Sequence, residues 1–211
     1  MTKRYVFLSA AFAAAAAIAG MYLARVLLQP VVGQLESGTA LPEPAGLAEF
    51  SLVDTRGAKI TPAELRGHPT LVFFGFTYCP DVCPTTLALL ATLQKELAPA
   101  YEELGGLKVA LITVDPERDT PEQLGKYISS FGGDLIGLTG SPPEIVKAQK
   151  SFGVAASRVD LAGGSYTMDH SATVFMLDSQ ARRVAVFTPP LRSEALMRDL
   201  RKLAPSLGAG S

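Results

Sequence analysis

Leu71 to Phe76 is an unbroken apolar run of strand length that stops three residues short of a cysteine pair and gives way to leucines at helical spacing. A strand without polar alternation must be covered on both faces, which helices packed on a parallel or mixed sheet provide. Val109 to Val114 is a second such run, and Leu90, Leu93 and Leu97 between them form the apolar stripe of a helix of roughly five turns. Strand, helix and strand make a βαβ unit with a right-handed crossover.

The flanking pattern elaborates this unit. Phe50 to Asp54 and a segment ending at Ile60, on either side of Arg56 and Gly57, predict a short β-hairpin. Thr61-Pro62-Ala63-Glu64, Thr120-Pro121-Glu122-Gln123 and Ser141-Pro142-Pro143-Glu144 each start helical structure in capping-box form, with proline at the first helical position. Leu124, Ile128 and Phe131 give the second of these an apolar face, and Ile145, Ala148 and Phe152 the third. Leu135 to Leu138 predicts a short strand between them, and Ala155 to Thr167, with Gly163 and Gly164, has no period and reads as a looser stretch. Thr173 to Leu177 and Val184 to Phe187 predict a hairpin around Asp178, Ser179 and Gln180, before a helix begun at Ser193 with Leu196, Leu200 and Leu203. This order implies an α/β domain over residues 48–205 with the thioredoxin-like three-layer fold: a mixed central sheet and an added N-terminal β-hairpin. Residues 29–47, rich in Gly, Pro, Glu and Ala, read as a linker, and residues 206–211 as a disordered tail.

Tyr5 to Ala24 carries no charge and follows Lys3 and Arg4. As a helix this run spans about 30 Å, the thickness of a bilayer's hydrocarbon core. Residues 1–28 are therefore expected to be a membrane segment, with the basic end cytoplasmic and the domain on the outer side. Small residues from Ala10 to Ala19 also suit a cleaved signal peptide, but the run exceeds the usual signal core, which favours an uncleaved single-pass anchor. Outside residues 1–28 the chain holds 16 basic and 20 acidic side chains. That acidic balance, without Lys/Arg runs, argues against nucleic-acid binding, which needs phosphate neutralisation.

The chain has two cysteines, Cys79 and Cys83, in Cys79-Pro80-Asp81-Val82-Cys83 at the strand-to-helix junction. Free N–H groups and the helix dipole at such a junction favour thiolate. Residues one helical turn apart can share a metal or a disulfide. A staple closing so small a loop gains little stability, so the pair is expected to perform chemistry, as a chelate or a redox switch.

His170 precedes the Thr173 strand, at the position where a thioredoxin-like fold sets a cis-proline opposite its first cysteine. It reads equally as a metal ligand or as a solvated loop histidine. His68, in a turn before the Leu71 strand, belongs to the opposite end of that strand. Cys79, Cys83 and His170 together supply three donors, one short of a closed structural zinc site, and thiolates at low coordination select Cu(I). Asp169 and Met168 are the candidates for a fourth contact. A peroxide-reducing site would need an arginine beside Thr77 and Cys79, and nothing in the sequence places one there.

The stretches Phe74 to Pro84 (FGFTYCPDVCP), Val114 to Pro121 (VDPERDTP), Leu138 to Gly140 (LTG) and Tyr166 to Ser171 (YTMDHS), in this order, resemble the Sco/SenC family of membrane-anchored copper chaperones. The resemblance implies that Cys79, Cys83 and His170 bind one copper ion per domain, as Cu(I) and also as Cu(II), and that the cargo goes to the dinuclear copper centre of cytochrome c oxidase subunit II. It also implies a copper donor or thiol reductant on the periplasmic side of the cytoplasmic membrane. Thiol–disulfide reduction of the acceptor's cysteines and redox or copper sensing are the alternatives that the same residues permit. In the Val114 to Pro121 stretch, Thr120 and Pro121 read as a helix cap. Arg118 reads as a residue that ties down its loop or docks a partner.

Overall fold

Every residue of the Thr70–Gly75 strand is buried, so with side chains alternating between faces this strand has cover on both. The computed structural model describes residues 34–208, together with Gly20 and Met21 in helical conformation. The elements in the first half are β1 (Gly38–Ala45), β2 (Leu52–Asp54), β3 (Lys59–Ile60), β4 (Thr70–Gly75), α1 (Val82–Glu96), the single turn α2 (Ala98–Tyr101) and β5 (Lys108–Thr113). There follow α3 (Pro121–Ser129), β6 (Leu135–Thr139), α4 (Pro142–Phe152), β7 (Ala156–Asp160), β8 (Tyr166–His170), β9 (Val174–Leu177), β10 (Arg183–Phe187) and α5 (Ser193–Leu203).

Eight strands form one mixed sheet in the order β1-β10-β9-β4-β5-β6-β2-β3. β4, β5 and β6 are parallel, joined by crossovers through α1 and α3, and β9 lies antiparallel to β4 on its other side. This is the thioredoxin-like α/β arrangement, with β2 and β3 as the expected N-terminal hairpin. The core is continuous: Leu71, Phe73, Leu87, Leu90, Leu111, Leu124, Phe152, Met176, Leu196 and Leu200 all belong to it. Capping chemistry fixes helix starts as expected at α3, where Thr120 Oγ1 accepts from Gln123 N–H at 3.2 Å. Thr61 and Glu64 form a reciprocal turn of the same kind, with Thr61 N–H donating to the Glu64 carboxylate at 2.8 Å.

Three expectations are corrected. Gly38–Ala45, expected within a linker, is the edge strand β1, paired antiparallel with β10. Strand pairing uses backbone groups, so this edge needs no apolar period. What it needs is close approach, and Gly38 provides it, since a Cβ there would lie 2.4 Å from the Phe187 ring. The expected tail begins too early: Ser206 closes a 3₁₀ turn and Leu207 is buried in the core, with its carbonyl accepting from Ser179 N–H at 3.0 Å. The looser stretch is a β-hairpin, β7 with β8, separate from the main sheet. Its β7 side is almost wholly exposed, so no hydrophobic alternation announces it. The anchor proposed for Tyr5 to Ala24 lies outside the described residues except for Gly20 and Met21, and among the described residues no helix is long and apolar enough to cross a membrane.

A buried aspartate holds the entry to β1. Asp199, on α5, accepts from Glu36 N–H at 2.7 Å, Ser37 N–H at 2.8 Å and Ser37 Oγ–H at 2.9 Å. Asp199→Ala would leave those donors without their acceptor and should lower the unfolding free energy by about 2–4 kcal/mol. Chemical denaturation checks the loss, and faster amide exchange across residues 38–45 locates it.

Candidate metal centre

The centre is built where β4 ends. Val114 N–H donates to the Gly75 carbonyl at 2.8 Å and holds the end of the strand. The chain then turns, with Cys79 N–H on the Phe76 carbonyl at 3.3 Å, and α1 begins at Val82. Pro84 lies in the first turn of α1, where an N–H has no intrahelical acceptor to lose. Cys83 N–H, also in that turn, donates toward Cys79 Sγ at 3.5 Å. Both cysteines are free thiols, Cys79 half-buried and Cys83 fully buried.

Gly75 makes room for the buried sulfur. A Cβ at this position would stand 2.9 Å from Cys83 Sγ and 2.9 Å from the Phe73 ring, distances at which one of them must move.

His170 arrives from the other side, at the end of β8. Its Nε2 lies 3.6 Å from Cys83 Sγ, across 87 residues of sequence. Its Nδ1 lies 3.1 Å from the Ser171 carbonyl. A carbonyl only accepts, so Nδ1 carries the proton, and the Nε2 lone pair points at the sulfur. The ring packs edge-on against Phe73 and Phe76, with centroids 6.2 and 5.8 Å away. Burial among these rings pushes the His170 pKa down, keeping the imidazole neutral, and burial pushes the Cys83 thiol up. For Cys83, then, desolvation outweighs the helix-terminus argument for thiolate. Among the described residues no three His, Cys, Asp or Glu side chains converge into a ready-made metal cluster. Cys83 and His170 are in contact, and Cys79, less buried, is brought beside Cys83 by the turn, its Sγ 3.5 Å from the Cys83 nitrogen.

The other candidates separate cleanly. Asp169 is exposed, and strand alternation turns it away from the face that carries His170. Met168 shares that face and packs against the core. His68 precedes β4, at the far end of that strand from the cysteines, with its Nδ1 buried and unpaired.

The segment between β5 and α3 braces both donor-bearing stretches. Asp119, completely buried, accepts from Thr77 Oγ–H and Thr113 Oγ–H, each at 2.6 Å, and from Thr77 N–H at 3.1 Å, so it fixes the cysteine loop to the end of β5. Burial raises its pKa. Arg118, from the same segment, lies over the rings of Tyr78 (4.6 Å) and Tyr166 (3.7 Å). An arginine does stand beside the cysteine loop, although only the fold places it there. Of the two readings of Arg118, the structure bears out tying down; what it ties is the hairpin that carries His170.

A fold of this class with a Cys-x-x-x-Cys turn facing a histidine now has known counterparts. A family profile described as SCO1/SenC matches residues 39–205. The chain is 36% identical over 140 residues to the mitochondrial SCO1 homolog 1 of Arabidopsis thaliana, covering 65% of this chain and 41% of that protein's own length. The structure of Bradyrhizobium japonicum ScoI with copper bound superposes with a TM-score of 0.66 at 39% identity, over 75% of this chain and all (100%) of that one. BsSco, described as a member of the Sco family of cytochrome c oxidase assembly proteins with a disulfide switch, superposes with a TM-score of 0.61 at 25% identity, over 80% of this chain and 98% of that one. The chain belongs to the SCO1/SenC family.

Two outcomes follow for the centre itself. Gly75→Ala should cost about 1–3 kcal/mol, the usual range for overpacking a core, and shift Cys83 Sγ away from His170. Denaturant unfolding and a crystal structure of the variant check both effects. The second concerns pH. The folded His170 pKa lies below the ordinary value of 6.5. As pH falls through 6.5, the unfolded chain takes up a proton that the folded chain refuses, and stability declines until the folded value is reached. Above that window the histidine contributes no pH dependence. In the metal-free, reduced protein His170 should therefore contribute a loss of stability as pH falls through 6.5, and His170→Gln should remove that component of the slope, as read by urea titrations at about half-unit steps.

Proposed function

We propose that this chain is a copper carrier of the extracytoplasmic side, binding one ion through Cys79, Cys83 and His170. The 3.6 Å approach of His170 Nε2 to Cys83 Sγ is the observation that carries the reading. A neutral imidazole and two sulfurs are soft to borderline donors, and three of them leave an open position that suits Cu(I), with room for added ligands as Cu(II). Transfer is ligand exchange: an incoming thiolate of the acceptor bonds to the ion before Cys79 lets go, so the metal is never free. The acceptor is the dinuclear copper site of cytochrome c oxidase subunit II, and a periplasmic donor supplies the ion. Tyr5 to Ala24 anchors the carrier in the cytoplasmic membrane by a single pass.

A second reading is favoured by the unequal exposure of the two free cysteines. Cys79 is within a partner's reach and Cys83 is not, as in an attacking and a resolving pair. As a thiolate, Cys79 attacks a disulfide of the acceptor, forming a mixed disulfide and releasing one acceptor thiolate. Cys83 then attacks Cys79 Sγ and releases the second. The acceptor gains two electrons, this chain is left with a Cys79–Cys83 disulfide, and an extracytoplasmic thiol reductant restores it.

Anaerobic Cu(I) titration of the reduced chain tests the carrier reading. One equivalent should bind to the parent, and Cys79→Ser, Cys83→Ser and His170→Ala should each weaken affinity by about a hundredfold or more. Unchanged affinity in all three sinks the reading. A His170→Ala chain that reduces acceptor disulfides at the parent's rate while the parent binds copper weakly favours the dithiol chemistry.

A further inference from the structure

We infer that Arg118, Asp115 and Tyr166 are positioning residues for the metal, a latch that holds the His170 hairpin shut over the cysteines and so sets how fast the ion can leave. The inference rests on the carrier reading for its metal half; its structural half stands alone.

The hairpin needs holding. β7 and β8 pair only with each other, outside the eight-stranded sheet, and β7 is almost wholly exposed. A two-stranded ribbon is marginal by itself in water. His170 and Met168 secure one end of β8 by packing. At the other end Tyr166, on the same face and about 13 Å along the strand, meets a closed ring of polar contacts. Tyr166 O–H donates to Asp115 Oδ1 at 2.9 Å. Asp115, itself buried, accepts from Arg118 Nε–H through its other oxygen. Arg118 Nη1–H closes the ring on the Tyr166 carbonyl at 3.0 Å.

Stacking reinforces the ring. The guanidinium carbon of Arg118 sits 3.7 Å from the Tyr166 centroid and that of Arg158 sits 3.8 Å from it, so the two cations must take opposite faces of the ring. Arg118 also lies over Tyr78, the residue before Cys79. One side chain thus touches the stretch that leads to the cysteines and the strand that ends in the histidine. The planar fork is what makes this possible; a lysine has neither the parallel donors nor the flat face.

The closed state is not fully satisfied. Among the described residues Arg118 Nη2 is buried without a partner, and a donor left so costs free energy. Closure is favoured by the ring and the stack and opposed by that donor, a balance that leaves the hairpin able to open. With Tyr166 released, what keeps His170 on Cys83 is packing at the far end of β8 and a solvent-exposed Arg158–Glu117 ion pair at 3.7 Å, which is weak in water, and a carrier that must hold and then surrender its ion needs such a step.

The test uses the full chain as parent, Arg118→Met, Arg118→Lys and Tyr166→Phe. Amide exchange across residues 156–170 is read on the metal-free, reduced protein, and the rate of Cu(I) loss to excess chelating dye is read on the loaded one. Arg118→Met should raise both by about tenfold, the loss of one cation–π stack and its hydrogen bonds, with exchange elsewhere unchanged. Tyr166→Phe keeps the stack and loses the Asp115 bond, and should fall between parent and Arg118→Met. Arg118→Lys should resemble Arg118→Met despite its charge. Hairpin exchange at the parent's rate in Arg118→Met overturns the latch, as does faster exchange spread over the whole domain, which marks a merely structural role. A parent that takes up no Cu(I) defeats the carrier reading, while the exchange data still decide the latch. If Arg118→Met does not fold, Arg118→Lys and Tyr166→Phe decide it.

Discussion

The antiparallel pairing of β9 with β4 is the constraint on which the centre depends. Phe73 stands opposite Val174, so the end of β4 and the start of β9 meet at the same edge of the sheet. The chain leaving β4 carries the cysteines, and the chain entering β9 carries His170. No local preference brings residues 87 positions apart to 3.6 Å. Backbone hydrogen bonding does, backed by a strand buried on both faces that tolerates no slip in register. Gly75 then removes the one side chain that would stand between Cys83 and its place beneath the histidine.

The electrostatics of that pocket explain what kind of ion it suits. Burial disfavours the charged form of either partner, raising the thiol and lowering the imidazole. Without a cation the pair rests neutral, and a thiolate there lacks compensation. A bound metal supplies the positive charge and turns the penalty around, since a coordinating thiol gives up its proton. On the carrier reading, two thiolates and a neutral imidazole around a monovalent ion would leave a net charge of about −1, tolerable with Cys79 less buried than Cys83. On that reading Cys79, the less buried of the two cysteines, would be both the charge's outlet to water and the side from which exchange begins.

The elements built on apolar runs were legible in the sequence because their apolar positions are buried: β4, β5, α1, β9 and the leucines of α5 announce themselves by composition and period. Turn and cap chemistry did the same at Thr61 and Thr120. β1 and the β7–β8 hairpin were not legible, since both are edge or surface structure whose cohesion lies in backbone bonds and a few tertiary contacts. Cys79 and Cys83 could be singled out by spacing. His170 could be singled out as a candidate, but its direction could not, because that depends on the ring lodging between Phe73 and Phe76 and on a bond to its neighbour's carbonyl. Arg118 shows the limit most plainly. Between two acids in sequence it looks locally paired, and only the fold reveals that its plane lies against Tyr166.

The short connection from β5 to α3 therefore carries more of the site's organisation than its length suggests. Asp119 grips the cysteine loop through Thr77, and four residues earlier Asp115, with Arg118, grips the histidine hairpin through Tyr166. Both grips hang from one rigid point, the end of β5, where Thr113 Oγ serves both: it accepts from Asp115 N–H at 2.9 Å and donates to Asp119 at 2.6 Å. Side chains of a single segment thus brace both stretches that the β4–β9 pairing brings together. The two grips differ in kind. The Asp119 grip is completely buried and neutral donors satisfy it; the Arg118 grip is partly exposed, charged and one donor short. Of two clamps set on one frame, the charged and partly exposed one has less holding it closed, so on the latch reading the histidine hairpin is the half that swings open, while the incoming ligand enters at Cys79, the less buried of the two cysteines.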